Sequence, residues 1–393
     1  MERNEQIKIG KDLIYLVSCA LNGEKANSIK IDSMDLEKVY KMAKKHLLAA
    51  MSFLPIEDVP FDNRDKYGEV LSKWKESKEK AVRKEVYLEI EKKEIEAFFN
   101  ERKIWYVLLK GVVLKYLYPK TWCREMADVD ILFDVNYRNA MKNFMQRKGY
   151  KIKSFKLGNH DVYMKPPVYN FEMHIALYNS VTNDIWEQYY ENIKCKLIND
   201  DAEHYEYRFS VDDFYIYITT HTFKHFDGGG NGIRSLLDTY IYLNRYENEM
   251  NWDYIEEQMK YLGILEFENQ FRILAKKVFS KEEIMCAEEK EMFKYLMYSG
   301  AYGYKEKILE RLMEKHLEKI QNNKERFTVR TKVMYIINRL FPSIKMIKYN
   351  HQFIYKTKIF IPFFYVYRLI MGLIIRGKDI FKELKMLFYK IVL

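Results

Sequence analysis

The sequence predicts an α+β fold in which a mixed β-sheet core is flanked by helical regions on both sides. Short apolar segments of β-forming residues concentrate between residues 101 and 210, whereas the segments before and after them repeat apolar residues with a helical period. The chain has only 7 prolines and 15 glycines in 393 residues, which favours long helices. Its 48% hydrophobic and 31% charged residues are typical of an ordered globular protein.

Residues 1–100 form the predicted N-terminal helical region. Apolar residues between Leu13 and Ala20 recur with a period near 3.6, and the stretch 70–100 is a charged helix rich in Lys and Glu. The segment Pro55–Asp65 contains two prolines and several polar residues, so we expect it to be a loop between these helices.

The sheet-containing core is predicted at residues 101–210. Lys110-Gly111 follows an apolar strand and opens a helical run that Pro119 ends, and Asn136 is the expected cap of a helix that stops near Gly149. The predicted strands are Ile104–Leu109, Asp128–Phe133, Tyr150–Leu157, Val162–Lys165 and Tyr169–Leu177. This order implies an α/β or α+β core with a mixed sheet.

The rest of the chain divides into a helical region, 211–340, and a basic hydrophobic tail, 341–393. The net charge of +10 originates at the end of the chain, because residues 327–393 contain 13 Lys or Arg but only two acids. The remainder nets −1. The overall charge therefore does not indicate a nucleic-acid-binding protein, although nucleic acid stays a possible partner.

The apolar stretch Ile359–Ile375 is the main feature of the tail. It falls short of the ~20 uninterrupted apolar residues that a membrane-spanning helix needs. Two interpretations remain: a helix packed on the preceding helical region, or a basic amphipathic anchor that contacts the membrane surface. Four widely spaced cysteines and a polar N-terminus without a signal-like apolar segment lead us to expect a cytoplasmic protein, possibly peripheral to the membrane.

Asp128-Val129-Asp130 is the motif with the clearest chemical content. Residues two apart on a strand point to the same face, so the two carboxylates project together. Such a pair repels itself unless a cation lies between, and Mg²⁺ prefers oxygen ligands. The alternative reading of the motif is a solvated strand end.

Two flanking motifs favour the metal interpretation. Glycine in Lys110-Gly111 lets the backbone approach phosphate closely, and the helix that follows offers free N–H groups to an anion. In Phe171-Glu172-Met173-His174, the alternation places Glu172 and His174 on one strand face, so Glu172 is a candidate third ligand. An exposed strand residue is the alternative for Glu172, and a core or metal-supporting histidine is the preferred reading of His174.

Taken together, these motifs resemble a family of largely uncharacterised bacterial nucleotidyltransferases in the DNA polymerase β-like superfamily. The resemblance extends from about residue 8 to residue 370. It rests on Leu109-Lys110-Gly111, Tyr118-Pro119, Arg124, Asp128–Leu132, Phe171–His174, His221, His225, Gly232–Arg234, Leu236–Asp238, Pro362, Tyr365 and Arg368.

The resemblance implies a polymerase β-like core in which Asp128 and Asp130 bind the metal ions. Glu172 would complete the metal site and could act as a base toward an acceptor hydroxyl. Gly111 would lie by the triphosphate. The sequence departs from the wider superfamily, which has Gly-Ser or Gly-Gly at this turn and a shorter spacing to the aspartates. The phosphate contact must therefore come from backbone N–H groups, Lys110 or Arg124.

A second polar cluster spans residues 221–238. His221 and His225 share one helical face, which could suggest zinc, but no cysteine lies nearby and Thr222 replaces the glutamate of a zinc protease. The glycine run that follows lacks a P-loop ending. We expect this segment to form the far wall of the pocket, with Arg234 on a phosphate or carboxylate; the alternative is a loop held by an Arg234–Asp238 pair.

The sequence thus predicts a two-metal nucleotidyltransferase that uses Mg²⁺ or Mn²⁺ and transfers an NMP from an NTP, with ATP the expected nucleotide, to an unidentified small-molecule, protein or RNA acceptor. One alternative is a non-catalytic binding protein that retains the fold and docks to a membrane or partner through its basic tail. Another is a zinc hydrolase that uses His174, His221 and His225.

Overall fold

The computed structural model describes residues 3–201, 203–280, 286–301, 303, 336–337 and 340–389. Its architecture is α+β, as the sequence predicts: a mixed six-stranded sheet lies between an N-terminal and a C-terminal set of helices. The predicted regions 211–340 and 341–393 lie partly outside the described residues.

Five helices precede the sheet, and they confirm the predicted helical region. They are α1 (Arg3–Leu21), α2 (Ser28–Asp32), α3 (Leu36–Lys45), α4 (Ala49–Phe53) and α5 (Gly68–Glu101). The predicted loop lies between α4 and α5. Trp74 of α5 is fully buried and donates its indole N–H to the carbonyl of Ala49 at 2.8 Å, which fixes the long helix against α4.

The sheet has the order β3-β4-β5-β2-β1-β6. Its strands are β1 (Tyr106–Leu108), β2 (Val129–Phe133), β3 (Lys151–Ser154), β4 (His160–Lys165), β5 (Tyr169–His174) and β6 (Glu206–Tyr207). The pairs β2–β5 and β1–β6 are parallel, and the other three are antiparallel. The mixed sheet is therefore confirmed, while β6 was not predicted because two residues are too few for an alternation pattern.

Short helices connect the strands. The helical run after β1 is a single turn, α6 (Gly111–Leu114), followed by a 3₁₀ turn over Lys115–Leu117. The predicted cap Asn136 is wrong: Asp134 accepts the N–H of Asn136 at 3.0 Å and opens a 3₁₀ turn. The connecting helices are α7 (Arg138–Arg147) and α8 (Asp184–Tyr190), and α8 was not predicted.

The C-terminal helices begin at residue 211, where Ser210 caps the first of them by accepting the N–H of Asp213. They are α9 (Val211–Asp227), α10 (Ile233–Tyr246), α11 (Trp252–Tyr261), α12 (Leu265–Phe279), α13 (Ala287–Ser299), α14 (Ile344–Asn350), α15 (Gln352–Thr357) and α16 (Ile361–Tyr389). No helix among the described residues is long and apolar enough to cross a membrane.

The two faces of the sheet are chemically different. On one face Val129 and Ile131 of β2, with Phe171 and Met173 of β5, are buried in a hydrophobic core that α5 and α7 complete. On the other face Leu132 joins a core built with α9. Because side chains alternate along a strand, the polar residues between these apolar ones face α9. The predicted alternation in β5 is thus confirmed, and it positions the site.

Candidate active site

Strand register brings the polar side chains of three strands together. Asp130 of β2 lies directly opposite Glu172 of the parallel strand β5. His174, two residues further along β5, lies opposite His160 of the antiparallel strand β4. Residues paired in this way across neighbouring strands point to the same face. The four side chains therefore form a polar patch on the α9 side of the sheet.

Asp130 is the buried centre of this patch, with 6% of its surface exposed. Its carboxylate accepts contacts from Lys110 Nζ at 3.1 Å and His174 Nε2 at 2.8 Å. Burial alone raises the pKa of Asp130, but the Lys110 ammonium and the His174 hydrogen bond outweigh it and hold the pKa below its ordinary value. Asp130 is thus a carboxylate kept ionised by two neighbours.

The two other predicted carboxylates experience the opposite effect. Burial, followed by the charge of Asp130, raises the pKa of the half-buried Asp128. Burial together with the charges of Asp130 and Asp128 raises the pKa of Glu172 to about 7. The local cations therefore do not neutralise all three carboxylates. A divalent cation with oxygen ligands would supply the missing positive charge, so the chemistry of these residues suits Mg²⁺ or Mn²⁺. In this structure the oxygens of the three carboxylates do not all lie within 4.8 Å of one another, so the side chains would have to move closer to share one ion.

The turn between β1 and α6 brings a lysine and an arginine to the carboxylates. Lys110 adopts a positive φ of 33°, a conformation that costs a non-glycine residue free energy and occurs most often at functional sites. A Cβ on Gly111 would overlap the guanidinium of Arg124. Glycine is therefore needed here so that Arg124 can approach the start of α6. The sequence suggested a different reason for this glycine, the close approach of a phosphate.

Arg124 belongs to a buried network with Tyr118 and Asp238. Its Nε and Nη2 each donate to the Asp238 carboxylate at 2.8 Å, and the Tyr118 hydroxyl donates to the same carboxylate at 2.6 Å. Arg234 instead donates to the carbonyl of Glu125 at 2.7 Å and makes no ion pair with Asp238. The alternative of a loop held by an Arg234–Asp238 pair is therefore wrong.

A cavity of about 220 Å³ lies between the turn, the aspartates and the 221–238 segment. Six of the seven predicted site residues line it: Lys110, Gly111, Arg124, Asp128, Asp130 and Arg234. Glu172 adjoins it through Asp130, its neighbour in the sheet. The glycine segment faces the aspartates across the cavity, and Asn231 holds it by donating to the carbonyl of Thr222 at 3.3 Å.

His221 and His225 also line the cavity, and their Nε2 atoms lie 3.0 Å apart. Burial lowers the pKa of His221, and it lowers the pKa of His225 to about 3. Within the described ranges, the one group of three metal-binding side chains close enough to share an ion is His160, Glu172 and His174. The ligand set of the zinc-hydrolase alternative, His174 with His221 and His225, is not brought together.

Two residues of the site were missed from the sequence. His160 lies 3.4 Å from Glu172 and stacks on His174 with ring centres 4.9 Å apart. Lys224 of α9 lies above the patch, and burial followed by the charge of Lys110 lowers its pKa to about 8. The position of His160 depends on an antiparallel register that no local pattern reveals. Lys224 had a signal, its place between His221 and His225 on the helix.

The site combines two aspartates at the start of β2, a glutamate on the parallel neighbour β5 and a Lys-Gly turn beside them. This arrangement on a mixed sheet is the one expected of a nucleotidyltransferase. Residues 32–280, more than half of the chain, match the model of a family described as uncharacterised nucleotidyltransferases, and the chain belongs to this family. The match includes every predicted site residue. Comparisons with curated proteins and with solved structures found no match.

Proposed function

We propose that this nucleotidyltransferase transfers an NMP from a Mg²⁺-bound NTP to a hydroxyl acceptor and belongs to the polymerase β-like superfamily. The observation that carries the proposal is the matched register of Asp130 and Glu172 on parallel strands, with Asp128 two residues before Asp130. Asp130 and Glu172 are therefore neighbours on one face of the sheet, beside a cavity that Asp128, Asp130, Lys110 and Arg234 line.

Asp128, Asp130 and Glu172 are the residues that would hold Mg²⁺ or Mn²⁺. The cation would neutralise charge on the attacking and leaving oxygens of phosphoryl transfer. Asp130 is suited to this role because its carboxylate stays ionised even though it is buried. Glu172 would also take the proton of the acceptor hydroxyl.

The basic side chains of the cavity are the proposed triphosphate contacts. Lys110 Nζ lies on the Asp130 carboxylate, within reach of a phosphate held there. Burial and the nearby charge of Arg124 lower the pKa of Arg234, so an anion in the cavity would stabilise this guanidinium. Arg124 is already bound twice by Asp238, and we assign it to positioning Gly111 beside the nucleotide.

Calorimetry tests the proposal without knowledge of the acceptor. Each of the four NTPs is titrated with Mg²⁺ into the wild type and into the Asp128→Ala/Asp130→Ala variant. Asp134→Asn, which alters the charge at the other end of β2, is the matched control. We expect the wild type and the control to bind ATP most tightly, and the double variant to bind it at least about tenfold more weakly, about 1.4 kcal/mol.

Two results would overturn the proposal. If the wild type binds no NTP, the chain retains the family fold without the activity, and the non-catalytic alternative gains. If the double variant binds NTP as tightly as the wild type, the aspartates do not hold the metal–nucleotide complex.

We also propose that α16 contacts an anionic membrane surface from the cytoplasm. Six apolar side chains of this helix, each more than half exposed, recur at helical spacing on one face: Phe363, Val366, Tyr367, Ile370, Ile374 and Phe381. The surrounding segment 327–393 has 13 basic and two acidic residues, so its charge complements anionic headgroups. The four cysteines are free thiols, which fits a reducing compartment.

Vesicle sedimentation tests this contact. The wild type should pellet with phosphatidylglycerol vesicles and much less with phosphatidylcholine vesicles. Phe363→Glu/Ile370→Glu should lose the binding, whereas Ile29→Glu, at an equally exposed apolar residue of α2, should keep it. Equal binding of the wild type and the α16 variant would refute the contact.

A further inference from the structure

A metal-binding arrangement that includes two histidines lies beside the predicted carboxylate site. The ligand atoms of His160, Glu172 and His174 all lie within 4.8 Å of one another, and the described part of the chain holds no other such group. His160 Nε2 is 3.4 Å from a Glu172 oxygen, and His174 Nε2 is 3.9 Å from the same oxygen. Both imidazoles therefore converge on one carboxylate.

The backbone holds these side chains in place. His160 and His174 are paired across the antiparallel strands β4 and β5, and Glu172 precedes His174 on the same face of β5. The adjoining strand β2 presents Asp130, which contacts His174 Nε2 at 2.8 Å. A group carried by two hydrogen-bonded strands is more rigid than one carried by loops, which is the condition for binding a metal ion with little reorganisation.

The hydrogen bonds of Asn159 assign the tautomer of His160. The Asn159 amide nitrogen donates to the carbonyls of Ala176 and Leu177 at 3.0 and 3.1 Å, so its oxygen faces His160 Nδ1 at 3.3 Å. An oxygen in that position requires a proton on Nδ1. In the neutral ring the lone pair then lies on Nε2, the atom directed at Glu172. Lone pair and carboxylate repel one another unless a proton or a metal cation lies between them, so this pair of atoms is a place that a cation can occupy.

His174 is the second imidazole of the group, and it is buried. Its side chain is 9% exposed, and its Nδ1 is buried without a hydrogen-bond partner. Because Nε2 is the atom that contacts Asp130 and faces Glu172, a cation bound at Nε2 would replace the proton that Nε2 donates to Asp130.

We infer that His160, Glu172 and His174 bind a first-row transition-metal ion of the Zn²⁺ or Co²⁺ type, adjacent to Asp130. Imidazole nitrogen is a good ligand for these ions, whereas Mg²⁺ favours an all-oxygen environment. The inference rests on the geometry of β4 and β5 and not on the proposed function, although Glu172 belongs to both sites.

Cobalt is the probe that tests the site in the absence of nucleotide. Full-length protein stripped with a chelator is titrated with Co²⁺ while the visible absorption spectrum is recorded. The wild type should develop the absorption bands of nitrogen-ligated Co²⁺ with one equivalent bound, and a tenfold excess of Mg²⁺ should not remove them. His160→Gln should weaken Co²⁺ binding by a factor of about 10 to 100.

Two variants serve as controls. His204→Gln changes an exposed histidine that contacts only Asp201 and should leave the Co²⁺ spectrum unchanged. Asp128→Asn should retain the spectrum while NTP affinity falls, which separates this site from the proposed function. Without metal, His160→Gln should unfold cooperatively at a temperature close to that of the wild type, which shows that it is folded. Zn²⁺ should then raise the thermal unfolding temperature of the wild type but not of His160→Gln, which shows that the variant has lost the ligand.

The inference is overturned if the wild type gives no Co²⁺ absorption, if Mg²⁺ displaces Co²⁺ at equal concentration, or if His160→Gln binds Co²⁺ like the wild type. NTP binding without Co²⁺ binding would support the proposed function and refute the metal site of His160, Glu172 and His174. Co²⁺ binding without NTP binding would support the metal site and refute the proposed function.

Discussion

The two walls of the cavity differ in how their charges are matched. Tyr118, Arg124 and Asp238 form the ion-paired wall, in which a buried guanidinium and a buried carboxylate neutralise each other through two hydrogen bonds. Asp128, Asp130 and Glu172 form the carboxylate wall, in which mutual repulsion and burial raise the pKa of two of the three acids. The charges of the ion-paired wall are balanced without a ligand, whereas those of the carboxylate wall are not.

This difference separates stability from function. Changes in the ion-paired wall should destabilise the protein, because they leave a buried charge without its partner. Neutralising Asp128 or Glu172 in the carboxylate wall should remove ligand binding and yet stabilise the metal-free fold, because it relieves repulsion between like charges. Asp130 differs, because it is paired with Lys110 and His174.

The largest effect is expected at Asp238. Asp238→Asn leaves the Arg124 guanidinium buried opposite a neutral amide, so the free energy of unfolding should fall by about 3–5 kcal/mol. Urea denaturation followed by circular dichroism measures it. Asp253→Asn, at an exposed aspartate of α11, should change stability by no more than about 0.5 kcal/mol. A loss below 1 kcal/mol at Asp238 would show that the network contributes little.

Gly111→Ala tests the close contact between Gly111 and Arg124, at the place where the two walls meet. The added Cβ would overlap the Arg124 guanidinium, so the variant should lose up to about 3 kcal/mol of stability and bind NTP more weakly. Gly68→Ala, at the start of α5, is the matched control because a Cβ there meets no atom within 4 Å. If both alanines were equally harmless, the close approach of Arg124 would not depend on glycine.

Glu172→Gln should stabilise the metal-free protein at high pH. The folded protein raises the pKa of Glu172 from 4.5 to about 7, so the ionised carboxylate favours the unfolded chain and wild-type stability falls as pH rises from about 4.5 to 7. At pH 8 the variant should be more stable by about 2 kcal/mol in chelator. Mg²⁺ should reduce this difference in stability by stabilising only the wild type. A Glu172→Gln variant that is less stable than the wild type in chelator would contradict the prediction.

The start of α10, the helix that carries Asp238, should respond to acid through His46. This buried imidazole accepts the N–H of Ile233 at the start of α10, and burial lowers its pKa from 6.5 to about 3. The folded protein holds this imidazole in its neutral form. The contribution of His46 to the free energy of unfolding is therefore fully present above pH 6.5 and is lost as the pH falls toward 3. At pH 5.5 this loss amounts to about 1.4 kcal/mol. His46→Asn should lose correspondingly less stability than the wild type between pH 7 and 5.5 in urea titrations, and identical losses would contradict it.

Local patterns accounted for the part of the site that lies on single strands. The alternation in β5 places Glu172 on a face opposite to Phe171, and it could be predicted because two adjacent residues suffice to reveal it. The helical regions and the mixed sheet were likewise predicted from periodicity, whereas β6 and α8 have patterns too short to recognise.

Contacts between distant segments were the part that could not be predicted. The sequence offered Arg234 as the partner of Asp238, four residues away on one helix, but the partner is Arg124, 114 positions earlier. His160 reaches Glu172 only through the register of β4 on β5, and no pattern within either strand reveals that register. Tertiary packing of α10 decides the first contact, and strand register decides the second.

The central claim is that the carboxylate wall directs NMP transfer, and isotope position tests it most directly. Wild type, Asp134→Asn and Asp128→Ala/Asp130→Ala are each incubated with Mg²⁺, a cell extract as acceptor source, and ATP labelled in either the α- or the γ-phosphate. With wild type and Asp134→Asn, α-label should enter an acceptor while γ-label leaves as pyrophosphate, and the double variant should transfer neither. Transfer of the γ-label to the acceptor, or equal transfer of the α-label by the double variant, would contradict the claim.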